Sequence, residues 1–250
     1  ALYGVKVNLN ESVRHVRAGG TRAEAKLEIK LASRRLQEAE ELAARGELTP
    51  ELRSLTEERF TVHAEAAHKG ITKLQPINLV AASDVGTLSE ADLRAHERIL
   101  MNMSSSNAVE SEIQALLVAV RAYIGRVSDA RTQAENAIIA GGGPDVVAAV
   151  RRQLKSAEGK INEVGELIAR AKEHANAEAV AEAEARLEIA KNTLASGRVK
   201  IEAGVHGEAF PLLQKATRMA SEAEALITVG GSLDIQSGMS GEEGAEPTLP

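Results

Sequence analysis

Between Thr21 and Arg45 the chain reads TRAEAKLEIKLASRRLQEAEELAAR, and its apolar positions constrain the fold more than any other feature. Ala25, Ile29, Ala32, Leu36, Ala39 and Ala43 recur at alternating steps of four and three. That 3.5-residue period sets all six on one stripe of a helix. Leu27, Leu31 and Leu42 widen the stripe, so this helix can face more than one neighbour. Thr21 with Glu24 reads as a capping box at its start, and Gly46 ends it.

The device returns along the chain. Thr49-Pro50-Glu51 opens a second helix with Leu52, Phe60, His63, Ala67, Ile71 and Leu74 inward, and the short turn between the two implies an antiparallel hairpin. Ser89, with Asp92 three residues on, is expected to cap a helix running through about Met103. From Ala108, Ile113, Leu116, Val120, Tyr123, Val127, Ala130, Ala134 and Ala137 form a seam that Gly141-Gly142-Gly143 breaks. Val147, Val150, Leu154, Ala157, Ile161, Val164, Ile168 and Ala171 form the next. After a turn near Asn176 come Val180, Ala183, Leu187, Ala190, Leu194, Gly197 and Ile201. Leu213, Ala216, Ala220, Ala223 and Ile227 make the last.

The fold class that follows is all-α, built of long antiparallel helical hairpins with Ala-rich heptad seams and short extended segments at both termini. With two Phe, two Tyr and no Trp, the core must be aliphatic, and alanine seams let helix axes approach closely. Three units are expected: a helical domain over 1–103, an antiparallel bundle over 108–228, and a hairpin with a Gly, Ser and Glu tail over 229–250. Tyr3, Val5, Val7 and Leu9 alternate with polar residues and read as a strand. ITVGGSLDI reads as two short strands around Gly230-Gly231.

Composition narrows the function. A net charge of −6 with both signs interspersed argues against a nucleic-acid partner. No cysteine is present, so there is no disulfide framework or thiolate site. No stretch approaches the roughly 20 apolar residues that span a bilayer. The chain opens with Ala rather than Met, which is compatible with removal of a targeting segment.

Residues 2–13 (LYGVKVNLNESV), 25–53 (AKLEIKLASRRLQEAEELAARGELTPELR), 60–66 (FTVHAEA) and 93–100 (LRAHERIL) resemble the bacterial family named domain of unknown function 5667. The resemblance covers about residues 2–100 and implies a helical domain of an exported protein, placed outside the cytoplasmic membrane. The family has no established activity or catalytic residue, so none carries over. Residues 199–216 (VKIEAGVHGEAFPLLQKA) look like the turn of a single tetratricopeptide hairpin, too little for a solenoid.

Chemistry-bearing motifs are few. Glu65 and His68 have the Glu-x-x-His spacing of di-iron bundles, but no second such motif faces them, and a solvated charged face is the expectation. His63 and His96 read as core histidines hydrogen-bonded to backbone or to a glutamate. GGGP at 141–144 reads as a helix-hairpin turn, since no strand precedes it and no Lys-Ser/Thr follows. Asn10-Glu-Ser12 and Asn102-Met-Ser104 match the glycosylation sequon, a pattern common by chance, and Asn10 reads better as a helix cap. Arg34-Arg35 and Arg151-Arg152 read as solvated faces, and no GxSxG is present. No catalytic residue, cofactor site or metal ligand is assigned. The expected function is non-enzymatic: an extracellular or cell-surface protein with a structural or adhesive role. Copies are expected to join head to tail into a filament through Tyr3, Val5, Val7 and Leu9 against Val229, Leu233 and Ile235. The alternative is an extracellular ligand- or partner-binding helical module of a membrane-anchored protein, which a deep pocket with buried ionisable groups would favour.

Overall fold

The computed structural model describes residues 20–104, 109–141, 143–173 and 175–239. Seven helices run through them: α1 Thr21–Ala44, α2 Pro50–Leu74, α3 Leu79–Ser104, α4 Glu110–Gly141, α5 Gly143–Ala171, α6 Ala177–Glu202 and α7 His206–Met239. No strand occurs among the described residues. The all-α expectation holds, and the helices pack as a bundle. Strand residues expected at 3, 5, 7 and 9 lie outside the described residues.

Most seam residues go where the periodicity puts them, while Leu52 and Ala137, expected inward, are exposed. All six residues of the α1 stripe are buried, as are Val180, Ala183, Leu187, Ala190 and Leu194 of α6. Thr49 caps α2 through its hydroxyl, which accepts from the Leu52 N–H at 3.3 Å, with Pro50 at the first helical position. Asn176 caps α6 in the same way. Close approach is real. A Cβ on Gly70 of α2 would lie 2.6 Å from the Ala25 Cβ of α1, so the two backbones sit nearer than side chains would allow.

Three expectations are corrected. The Thr21 capping box is not formed: Gly20 occupies the N-cap at φ 87°, and no side chain caps the helix. That left-handed conformation suits glycine and puts Thr21 already inside the first turn. Ser89 does not start a helix. It is buried in the middle of α3, which begins ten residues earlier with Asn78 Oδ1 accepting from the Ala81 N–H. The hairpin at 227–235 is absent as well, because Val229, Leu233 and Ile235 lie on α7, which runs to Met239. A helix already nucleated gains one backbone bond with each added residue, whereas a lone hairpin has little to stabilise it.

Two hydrophobic clusters form the core. The first gathers α1, α2, the inner face of α3 and most of α4, including Leu36, Phe60, Leu93 and Val120. The second gathers α5, α6 and α7 with Ala95 and Ile99 of α3 and Ile138 of α4. The α4 seam from Ile113 to Ala134 therefore shares a core with the helices before residue 105. α3 is buried on both sides and packs on α1, α2, α4 and α7. The polar groups buried on α3 must find partners there, since a buried group without one costs about 1–3 kcal/mol.

Candidate functional site

Two clusters of ionisable groups grow from α3. The first faces α1. His96 is fully buried, and its Nδ1 lies 2.8 Å from Oε1 of Glu40, itself fully buried. On the other side of the ring, Nε2 lies 2.7 Å from Ser33 Oγ. Ser33 in turn donates to Asp92 Oδ1 at 3.2 Å. Burial works to lower the imidazole pKa, but the facing carboxylates of Glu40 and Asp92 win and raise it to about 9. Burial pushes the Glu40 and Asp92 carboxyls up, with His96 opposing in both.

Hydroxyl, imidazole and carboxylate thus stand in the order a serine nucleophile requires. The chemistry differs. An imidazolium donates from both nitrogens, so Ser33 Oγ accepts a hydrogen bond from Nε2–H and donates one to Asp92, and no base is left to activate it. Ser33 also sits within α1, where backbone N–H groups are engaged in the helix and none is aimed at an oxyanion. Along Glu40–His96–Ser33–Asp92 each proton thus has an acceptor, while Glu40 Oε2 is buried without a hydrogen-bond partner. A second histidine repeats the pairing, with His63 Nδ1 of α2 2.7 Å from Glu28 Oε2 of α1. Both core histidines therefore bind a glutamate, as their sequence positions suggested.

The second cluster faces α4 and α7 and centres on Glu90, which is 1% exposed. Its Oε1 accepts from Arg94 Nε at 2.9 Å and from Arg218 Nη1 of α7 at 3.0 Å. Its Oε2 accepts from Arg131 Nε of α4 at 2.8 Å. Burial would raise the Glu90 carboxyl, yet the three guanidiniums outweigh it and hold it below its ordinary value. Arg131 reaches Glu135 as well, at 2.6 Å. Gly86 makes this approach possible, because a Cβ there would fall 2.9 Å from the Arg131 Cβ. Beside the ion cluster, Gln214 donates to Asp84, accepts from Thr87 and accepts from Gln153, which joins α3, α5 and α7.

Over this cluster lies a cleft of about 460 Å³ between α3, α4, α6 and α7. Arg94, Arg98, Arg121, Arg186 and Arg218 line it with Glu97, Glu222 and two methionines. Arg98 pairs with Glu182 across to α6, and Arg121 with Glu97 at 2.7 Å. Arg186 stands apart. Among the described residues it makes no hydrogen bond, and its ion pair to Glu222 is 3.8 Å long. Glu222 is nearly fully buried, and its Oε1 accepts no hydrogen bond, lying 3.6 Å from Arg218. Burial pushes the Glu222 carboxyl up, against Arg218 and Arg186.

The sequence motifs fall elsewhere. Glu65 is part-exposed, with long ion pairs to Lys69 at 3.9 Å and Arg126 at 3.7 Å, and His68 is half-buried beside it. No group of three or more histidine, cysteine or acidic side chains able to hold a metal occurs among the described residues. Arg151 and Arg152 are exposed, whereas Arg35 is buried and meets Glu38 at 2.9 Å. The arginine cleft went unread in the sequence. Its local trace is the i, i+4 pairing of Glu90 with Arg94 and Arg218 with Glu222, a spacing that solvated helix faces share.

No protein-family model, curated protein or solved structure matches this chain.

Proposed function

We propose that the chain is a non-enzymatic helical scaffold of an exported, cell-surface protein. The observation that carries this reading is the use made of its buried charges. Glu40, Glu90 and His96 are each tied to a residue on another helix, so they hold helices in register. Ser33–His96–Glu40, which has the order of a catalytic triad among the described residues, has its hydroxyl and imidazole protons already committed. Export rests on the resemblance of residues 2–100. No helix among the described residues is long and apolar enough to cross a membrane. Head-to-tail joining through the chain ends belongs to the same reading, with the α7 end meeting its neighbour as a helix.

Short-chain p-nitrophenyl esters test the non-enzymatic part. Wild type and Ser33→Ala should hydrolyse them at the same background rate, and a rate that Ser33→Ala abolishes overturns the reading. Sedimentation velocity at high concentration tests assembly: a full-length chain that stays monomeric removes the filament. The binding-module reading has one observation in its favour, the arginine-lined cleft over buried Glu90 and Glu222.

A further inference from the structure

We infer that the cleft between α3, α4, α6 and α7 is a binding site for a small polyanion bearing two or more carboxylate or phosphate groups. The inference rests on the binding-module reading and is independent of the scaffold's assembly.

Charge is the first argument. Arg94, Arg98, Arg121, Arg131, Arg186 and Arg218 meet Glu90, Glu97, Glu135, Glu182 and Glu222 here, six cations to five anions. One guanidinium is in excess, on a chain whose formal charge is −6. Geometry says which one. Arg94 and Arg218 are fixed on Glu90 at the floor. Arg186 is held only by a 3.8 Å pairing with Glu222, so its planar fork of donors is free to take an oxyanion bidentately.

Valence is the second. Arg98 and Arg121 stand at the rim, their side chains 43% and 49% exposed, each paired with a single glutamate. Pairs that exposed contribute only about 0–1 kcal/mol, so a ligand acid can replace Glu97 or Glu182 at little cost. A ligand with one acid on Arg186 and another on Arg121 or Arg98 satisfies both places, which a monoanion cannot. Size is the third. About 460 Å³ falls within the range of roughly 300–1,000 Å³ typical of small-molecule sites, and the chain's formal charge of −6 disfavours a long polyanion.

Glu222 opposes the ligand. Its carboxylate stands between Arg186 and Arg218 without hydrogen-bonding either, so neutralising it frees positive charge for the ligand.

Isothermal titration of the full chain with citrate, pyrophosphate and acetate at fixed low ionic strength tests this. Wild type should bind citrate or pyrophosphate and discriminate against acetate, and whichever of the two binds tighter identifies carboxylate or phosphate as the natural group. Arg186→Gln should weaken that binding at least about tenfold. Arg186→Lys, which keeps the charge and loses the fork, should fall between. Glu222→Gln should tighten it severalfold, and Arg152→Gln on exposed α5 should leave it unchanged. Helicity by circular dichroism confirms that each variant is folded. Absence of binding, binding that Arg186→Gln leaves intact, or equal affinity for acetate overturns the inference. Heparin oligosaccharides binding where the small anions fail overturn it too. None of these results bears on Ser33 or on ester hydrolysis, so the scaffold reading stands or falls separately.

Discussion

The two ionisable clusters on α3 lie a few residues apart and are built by opposite rules. Around His96 every polar proton is committed: carboxylate, imidazolium, hydroxyl and carboxylate form a line between α1 and α3. Around Glu90 one carboxylate holds three guanidiniums from α3, α4 and α7, and the outer layer of arginines reaches an open cleft. The histidine line can titrate in the mildly alkaline range, through an imidazole whose pKa is raised to about 9. The arginine cluster keeps its charge at all ordinary pH values, because guanidinium does not deprotonate there. A line of committed protons serves packing; an open array with a loosely paired arginine can still recruit a partner.

The largest effect should come from the hub. Glu90→Ala removes the shared acceptor of three arginines and leaves uncompensated buried charge, so it should cost about 3–5 kcal/mol in urea unfolding. A loss below about 1 kcal/mol would make the arginine cluster a surface feature rather than a joint between the helices. The histidine line comes next. His96 has a folded pKa of about 9 against an ordinary 6.5, so its stabilisation is complete below pH 6.5 and is lost as pH rises through 9. Over that span the wild type should lose up to about 3 kcal/mol, and His96→Gln should flatten the profile. An equally steep fall in His96→Gln would locate the titration elsewhere and erase the contrast.

Smaller changes probe the geometry. Gly86→Ala forces α3 against the Arg131 side chain and should destabilise by about 1–3 kcal/mol, loosening Arg131 from Glu90. A neutral result would mean that α3 and α4 can separate without disturbing the hub. Least of all, Arg186→Ala should shift stability by within about 0.5 kcal/mol, because its lone ion pair is long and part-exposed. A larger loss would put Arg186 among the structural arginines and take away the free cation.

Helix periodicity is a local property, so the sequence alone determined the all-α architecture, the buried faces of α1, α4, α6 and α7, and the cap at Thr49. It also marked His63 and His96 as core residues, because each interrupts or adjoins an apolar stripe where only a paired side chain can remain. Polar residues misled where burial changed their meaning. Ser89 resembles a cap in isolation, yet α3 passes through it with both faces covered, and Gly230-Gly231 resembles a turn although α7 continues across it. Only the tertiary structure decided which charges meet. Glu90 and Arg131 are 41 positions apart, and Glu90 and Arg218 are 128 apart. Their meeting depends on the register in which α4 and α7 pack on α3. Spacing within one helix cannot encode that register, because an exposed i, i+4 pair and a buried hub share the same local sequence.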